Sequence, residues 1–400
     1  MGNRVVFSET WSGAVKVKMI SNERDADSAW NQFAITHPDG CLYHALAWHE
    51  VIKKSYGHTI YYLAALGDSS LKQGLGSHRE IVLSENPIIL SDNFSRFVGL
   101  LPLVHIKNWL FGNSVISMPF VDSGGLLAED ELTEELMLLS AIKLAEKMRA
   151  TCVDLRQNQQ LIKFNYDEFF RKNHLKGWRL SALTPKVRMI INLPDHPDLL
   201  MRSFDSKLRS QIRKPIKGGL VVKIGGTELI DDFYIVFAEN MRDLGSPVHS
   251  IKFLTETLKA FTNTAKVFVV YSNEKPLASS VAIGFKDTLS NPWASSLRRY
   301  NHLAPNMLLY WSMLEFSCQQ GYKKFDFGRS TIGEGTYKFK EQWGAKPEPL
   351  YWYRLSNADD QSWSNQPNKD KMGKAIEYWK KLPVPLTKII GPRIRKYISL

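Results

Sequence analysis

The residues with the widest chemical scope in this chain are cationic, aromatic and amide-bearing, and they concentrate between positions 322 and 352. Within Gly335-Thr-Tyr-Lys-Phe-Lys-Glu-Gln-Trp-Gly344, Phe339 and Trp343 lie four apart and share one face of a helical turn. Phe339 then points inward between Lys338 and Lys340. A lysine held beside such a desolvated shelf stabilises a developing oxyanion or a phosphate; an ordinary surface lysine is the bland alternative. Asp326, in the alternating run Lys324-Phe-Asp-Phe327, could orient a base or a substrate amine, although such a strand aspartate more often pairs with a neighbour such as Arg329. Upstream, Lys207, Arg209, Arg213, Lys214 and Lys217 form a basic cluster in which Arg209 and Arg213 share one helical face. The planar arginine fork suits diphosphate oxygens, and a solvated basic face is the alternative. Arg299 and Tyr300 come just before Asn306, which is placed to cap a helix whose free amides would seat an anion.

Other chemistries are poorly served. There is no Walker A sequence, no GxGxxG after a strand, no HExxH and no GxSxG. Cys41, Cys152 and Cys318 form no CxxC pair, which argues against a zinc site or disulfide framework and fits a reducing cytoplasm. Cys152 and Cys318 lie in apolar segments and read as buried spectators.

The elements that must position these groups are mixed α/β. Val15 to Ile20 reads as a strand, Asp25 to Phe33 as a helix with Trp30 and Phe33 inward, and His44 to Ile52 as a second helix ending near Gly57. Ile60 to Leu66 and Phe97 to His105 read as adjacent strands across a long polar loop. Leu132 to Arg149 reads as an amphipathic helix, followed by a strand from Cys152 to Arg156. A second cycle runs from Val187 to Leu193, through a helix opened by Pro197 and a basic stretch stopped by Pro215 and Gly218-Gly219, to a hairpin across Asn273-Glu-Lys-Pro276. A helix from Asn306 to Gln320 and a strand at Phe325 close it. The matching order of Leu132–Leu155 and Asn306–Phe327 implies a duplication, with domains at residues 1–180 and 181–356 and a cleft between them. Residues 357–400 read as a polar linker and a basic amphipathic tail, which lies on a membrane surface or packs back onto the protein.

Four hundred residues suit two domains, and 44% apolar with 23% charged residues supports packed cores. The net charge of +12 predicts attraction to polyanions such as RNA, nucleotide diphosphates or an anionic membrane. No stretch reaches the roughly 18 apolar residues of a membrane span. A cytoplasmic location, with contact at the inner face of the cell membrane, follows as the expectation.

Phe325-Asp-Phe-Gly-Arg-Ser330 together with Gly335–Gly344 resembles the FemAB-like peptidyltransferases of the GNAT superfamily. Lys207-Leu-Arg-Ser-Gln-Ile-Arg-Lys214, Arg242-Asp-Leu-Gly-Ser-Pro-Val-His249 and the tail from Trp379 extend the resemblance over nearly the whole chain, most closely to members associated with exopolysaccharide and PEP-CTERM sorting systems. It implies two tandem GNAT-like domains and an N-acyltransferase that forms an amide when an amine of an envelope or exopolysaccharide precursor attacks an activated acyl group directly. On this analogy Lys340 stabilises charge near the acyl ester, the Phe339 carbonyl receives a proton, and Tyr337 orients substrate. Lys207, Arg209 and Arg213 face the anionic precursor's diphosphate, with Arg299, Tyr300, Asn306 and Arg329 as further binding residues. The resemblance requires no metal and no permanently bound cofactor, and the donor would be aminoacyl-tRNA or acyl-coenzyme A. The chain lacks the long coiled-coil arm of staphylococcal-type members, which bears on tRNA as a partner. An RNA-binding or membrane-associated scaffold built on degenerate GNAT domains is the alternative.

Overall fold

A computed structural model describes residues 9–12, 15–20, 24–68, 80–82, 94–109, 112–162, 166–183, 186–357 and 369–399. The first half contributes strands β1 (Glu9–Ser12), β2 (Val15–Ile20), β3 (Thr59–Asp68), β4 (Glu80–Val82), β5 (Phe94–Asn108), β6 (Gly112–Ile116), β7 (Leu127–Ala128), β8 (Cys152–Gln157) and β9 (Arg179–Leu183). The second contributes β10 (Val187–Asn192), β11 (Val221–Gly225), β12 (Ala265–Ser272), β13 (Lys275–Phe285), β14 (Thr288–Ser296), β15 (Lys324–Ser330) and β16 (Lys346–Pro349). β17 (Tyr351–Ser356) then returns to the first sheet and lies between β8 and β9. Helices α1 (Arg24–Thr36), α2 (Trp48–Tyr56), α3 (Glu131–Lys147) and α4 (Tyr166–Lys172) accompany the first sheet. With the second go α5 (Pro197–Ser203), α6 (Ser206–Lys217), α7 (Ile230–Asp243), α8 (Ile251–Ala260), α9 (Pro305–Gln319) and α10 (Gly335–Glu341), and α11 (Lys369–Lys381) and α12 (Val384–Arg395) finish the chain.

The duplication inferred from the sequence is visible in the two crossovers. In the first sheet β6 runs parallel to β8, paired from Ser114–Cys152 to Ile116–Asp154, with α3 between them in the chain. In the second, β14 runs parallel to β15 from Thr288–Lys324 to Ser290–Asp326, with α9 between them. Both crossover helices are apolar on most faces, because each is buried in its own half's core rather than half-exposed as an amphipathic reading of Leu132–Arg149 expects. Asp130 starts α3 by accepting the Thr133 N–H at 2.8 Å.

The halves are joined in two further ways. A central core takes Trp30, Trp48 and Phe120 from the first half and Phe237, Phe253 and Trp293 from the second. Within it, the Tyr56 and Phe253 rings stack at 5.2 Å, and such aromatic pairs add about 0.5–1.5 kcal/mol to the burial itself. The second link is a two-stranded ribbon: β17 pairs antiparallel with β9, β16 with β10, and the Leu350 N–H donates to the Lys186 carbonyl at 3.1 Å where the ribbon passes from one sheet to the other. The first sheet therefore draws a strand from beyond residue 180.

Three local expectations need correction. The helix expected from His44 begins at Trp48; Leu42–His44 is a 3-10 turn instead, its carbonyls occupied by the indoles of Trp48 (3.1 Å) and Trp30 (2.8 Å). Of the two stops expected for the basic helix, Gly218-Gly219 ends it, with Gly218 as its C-cap, and Pro215 does not. In the last turn a proline removes one N–H, and α6 continues to Lys217 with the Leu220 N–H returning to the Pro215 carbonyl at 3.0 Å. β14 carries too many polar residues, in Thr288-Leu-Ser-Asn-Pro-Trp-Ala-Ser-Ser296, to announce itself as a strand. Most of the polar linker and of the loop between Leu66 and Phe97 falls outside the described residues.

The tail packs back onto the protein. Arg395 at the end of α12 is buried and donates to His249 Nε2 at 3.1 Å, while Tyr56 Oη meets His249 Nδ1 at 2.7 Å. His58 bonds the Lys396 carbonyl at 2.6 Å, and the Ser399 carbonyl accepts from Arg156 at 2.7 Å and from the Phe120 N–H at 2.9 Å.

Candidate active site

Between the halves lies a cavity of about 440 Å³. One wall comes from residues 38–43, Ser123 and Asn158 of the first half, and the other from Arg188, Lys286, Ser290, Lys324 and Asp326 of the second. A small inner chamber continues it past Tyr43, Asp122, Ser290, Asn291 and Gly328. This chamber opens where β14 and β15 part company, since their parallel pairing ends at Ser290–Asp326. Gly328 takes φ 75°, a conformation side chains rarely adopt, and turns its N–H back to Asp326 Oδ1 at 2.7 Å.

Charge is arranged tightly around that opening. Burial raises the Asp326 carboxyl above its ordinary range, and Arg188, the Gly328 N–H and Lys340 pull against the rise. Lys340 is 7% exposed and donates to the carbonyls of Gly328 at 3.0 Å and Arg329 at 2.8 Å. Desolvation lowers its ammonium to about 8, with Asp326 and Asp122 opposing. Arg188 pairs with Glu348 at 2.5 Å, and Arg329 with Asp122 at 3.3 Å. A buried carboxylate and a buried ammonium beside a cavity suit proton removal from a nucleophile and stabilisation of developing negative charge.

Residues 202–341 match the acetyltransferase (GNAT) domain family. Among solved structures, FemX aligns with a TM-score of 0.62 at 14% identity, over 86% of this chain and 99% of that one. A tandem GNAT protein from the clavulanic acid biosynthesis pathway aligns at 0.52 and 11% identity, over 86% and 98%. The chain carries two tandem GNAT folds. A conserved protein of unknown function from Bacteroides thetaiotaomicron shares the arrangement at 0.51 and 9% identity, over 85% and 99%. No curated protein matches the sequence.

Within the second GNAT fold the residues singled out from the sequence separate into groups. Lys340 lies behind the wall of the inner chamber, bonded to the carbonyl of Gly328, which lines it. Phe339 packs against Tyr310 at 5.0 Å and Trp343 at 6.3 Å, and Tyr337 rests against the same core. Arg329 faces the cleft through Asp122 and lies over the Trp352 ring, so it does not make the pair with Asp326 expected from the sequence. Arg209 and Arg213 line a separate surface hollow with Ser206, Ser210, Lys214 and Lys217, and Lys207 is exposed on the same helix. Arg299 forks onto Glu239 and stacks over Tyr300, whose ring also carries Lys275. Asn306 does not cap α9: Ala304, at φ 54°, holds that position, and Asn306 sits inside the first turn.

The sequence reading passed over Arg188, Tyr43, Ser123, Ser290 and Asn291. The Asp122-Ser-Gly-Gly125 turn, short and polar after a strand-like run, was a usable signal for one of them; the polar strand β14 hid two more.

Proposed function

We propose that the protein is an N-acyltransferase that makes an amide from an amine and an activated acyl group in the interdomain cleft. The observation that carries this reading is the burial of Lys340 against the Gly328 and Arg329 carbonyls, next to Asp326 at the point where β14 and β15 diverge. Asp326, with its carboxyl raised by burial, takes the proton of the attacking amine. The Lys340 charge stabilises the oxyanion that forms as nitrogen adds to the acyl carbon. Tandem GNAT folds and the likeness to FemX support the class of reaction.

The acceptor in this reading is an anionic envelope or exopolysaccharide precursor, held by its phosphates on Arg209 and Arg213, and the donor is acyl-coenzyme A or aminoacyl-tRNA. Work at the cytoplasmic face of the membrane is part of the proposal; no helix among the described residues is long and apolar enough to cross a bilayer. The test incubates the purified protein with acetyl-coenzyme A or alanyl-tRNA and an envelope-precursor extract, and follows by mass spectrometry the gain of one acyl mass on an amine. Asp326→Asn should abolish that gain. No acylated product from either donor, together with RNA binding that weakens steeply with salt, would favour the RNA-binding scaffold instead.

A further inference from the structure

We propose that Cys41 and His44 form a thiol–imidazole pair that accepts the acyl group as a thioester before the amide is made. This rests on the acyl-transfer reading above and adds a covalent carrier to it. Cys41 Sγ lies 3.3 Å from His44 Nδ1 and 3.5 Å from Ser123 Oγ, and both Cys41 and Ser123 line the 440 Å³ cavity. His44 is 3% exposed and held by its other nitrogen, Nε2, which donates to the Gly125 carbonyl at 3.1 Å. That bond fixes the tautomer with the Nδ1 lone pair turned to Cys41.

A second feature points to a ligand carbonyl in the same place. Asn291 is 4% exposed and lines the inner chamber that shares Tyr43, Ser123 and Asp326 with the main cavity. Its Oδ1 accepts from Ser280 at 2.8 Å, and its buried Nδ2 has only the Tyr310 hydroxyl to face, so at least one of the two amide N–H groups lacks an acceptor. A buried, uncommitted N–H donor suits an acyl oxygen.

The plainer role for the pair is a capping box on the 3-10 turn, since the Cys41 N–H also donates to His44 Nδ1 at 3.1 Å. Serine would cap as well or better, so the cap does not account for sulfur facing a cavity. Burial pushes the thiol up, and His44, Ser123 and the Tyr43 N–H outweigh it and bring it to about 6. Lys286 and Arg188 face the thiol from the second half, while Asp287 and Asp326 on that same wall, and Asp39 on the thiol's own wall, carry the opposite charge.

In the first step Cys41 Sγ adds to the acyl carbon, its proton passes to His44 Nδ1, and the bond to the donor's carrier breaks. The carrier leaves as its thiol or alcohol, taking that proton. In the second step the acceptor nitrogen adds to the thioester carbon, the C–S bond breaks, and the amine proton taken by Asp326 makes good the proton of the departing sulfur. No oxidant or reductant is involved.

The test treats the full chain with p-nitrophenyl acetate, and separately with acetyl-coenzyme A, and reads the acid-quenched protein by intact mass and peptide mapping. One acetyl group on Cys41, released by hydroxylamine, is expected, and buried Cys152 is the internal control. His44→Gln should slow acylation by about 100-fold. Cys41→Ser, which keeps the cap, should melt like the parent but lose the thioester and the amide product. No acyl-Cys41 from either donor, or a Cys41→Ser protein that transfers at the parent rate, overturns the relay; in that second case continued amide formation leaves the acyl-transfer reading intact. An acylated Cys41 that passes nothing to any amine in the precursor extract leaves the reactive pair and removes acyl transfer to an amine.

Discussion

The Lys340 ammonium donates to the Arg329 carbonyl at 2.8 Å, so a side chain of α10 rests on the end of β15, eleven residues earlier in the chain. Two carbonyls and one aspartate replace the water such a charge requires. Lys340→Met should lower kcat by about 100- to 1000-fold, the usual cost of losing an oxyanion contact. Its melting temperature should fall as well, because methionine leaves the Gly328 and Arg329 carbonyls and Asp326 without the donor they share. Steady-state kinetics beside thermal melts check both, and an unchanged kcat removes Lys340 from the chemistry.

The same residue sets a pH dependence. Burial brings its ammonium to about 8 from an ordinary 10.5, so the charge is lost as pH rises through 8. The transfer rate should fall above that pH, and Lys340→Arg should carry the falling limb upward, since arginine keeps its proton. Stability moves the other way. Between pH 8 and 10.5 the unfolded chain holds a proton that the folded chain has released, so stability from this group increases with pH across that window. Denaturant titrations of the parent and Lys340→Met at pH 7.5 and 9.5 would show it, with the parent alone gaining.

Arg209 and Arg213 lie on a surface hollow apart from the cleft, so their effect should be on binding. Replacing both with alanine is expected to raise KM for a phosphate-bearing acceptor by about tenfold or more, as the loss of charge-assisted bonds of about 1.5–3 kcal/mol implies. kcat should hold. Added salt should weaken the parent's binding more than the variant's, and equal KM values would detach α6 from the acceptor.

Arg395 tests the tail. It is buried and donates to His249, whose imidazole is held well below its usual range first by burial and then by Arg395 itself. Arg395→Ala should cost about 1–3 kcal/mol, because a buried acceptor is left unmade. Chemical denaturation measures it; a cost near zero would mean the tail is not anchored there.

Much of the fold was legible because its cues are local. Trp30 and Phe33 repeat at helical spacing and are buried as that spacing requires, and Gly344 ends the turn after Trp343 in a left-handed conformation. The hairpin at Asn273–Glu274 announced itself through turn residues, and both take positive φ. The site was less legible because its cues are long-range. Lys340 reads as a surface lysine until Gly328 and Arg329 are brought beneath it, and Arg188 joins the cleft only because β10 lies between β15 and β16. β14 was missed since Ser290 and Asn291 are polar yet buried, and no period-two pattern distinguishes a buried polar strand from a loop.

The ribbon of β9–β10 with β16–β17 bears on how this chain can be inherited and divided. A gene fragment ending before Tyr351 leaves β8 and β9 without the strand that lies between them, and a fragment starting after Asn192 leaves β15 without β10. Neither half is a portable module, so recombination can exchange the pair but not one member. A single calorimetric transition is the corresponding signature in solution, with each half able to melt only when the other does.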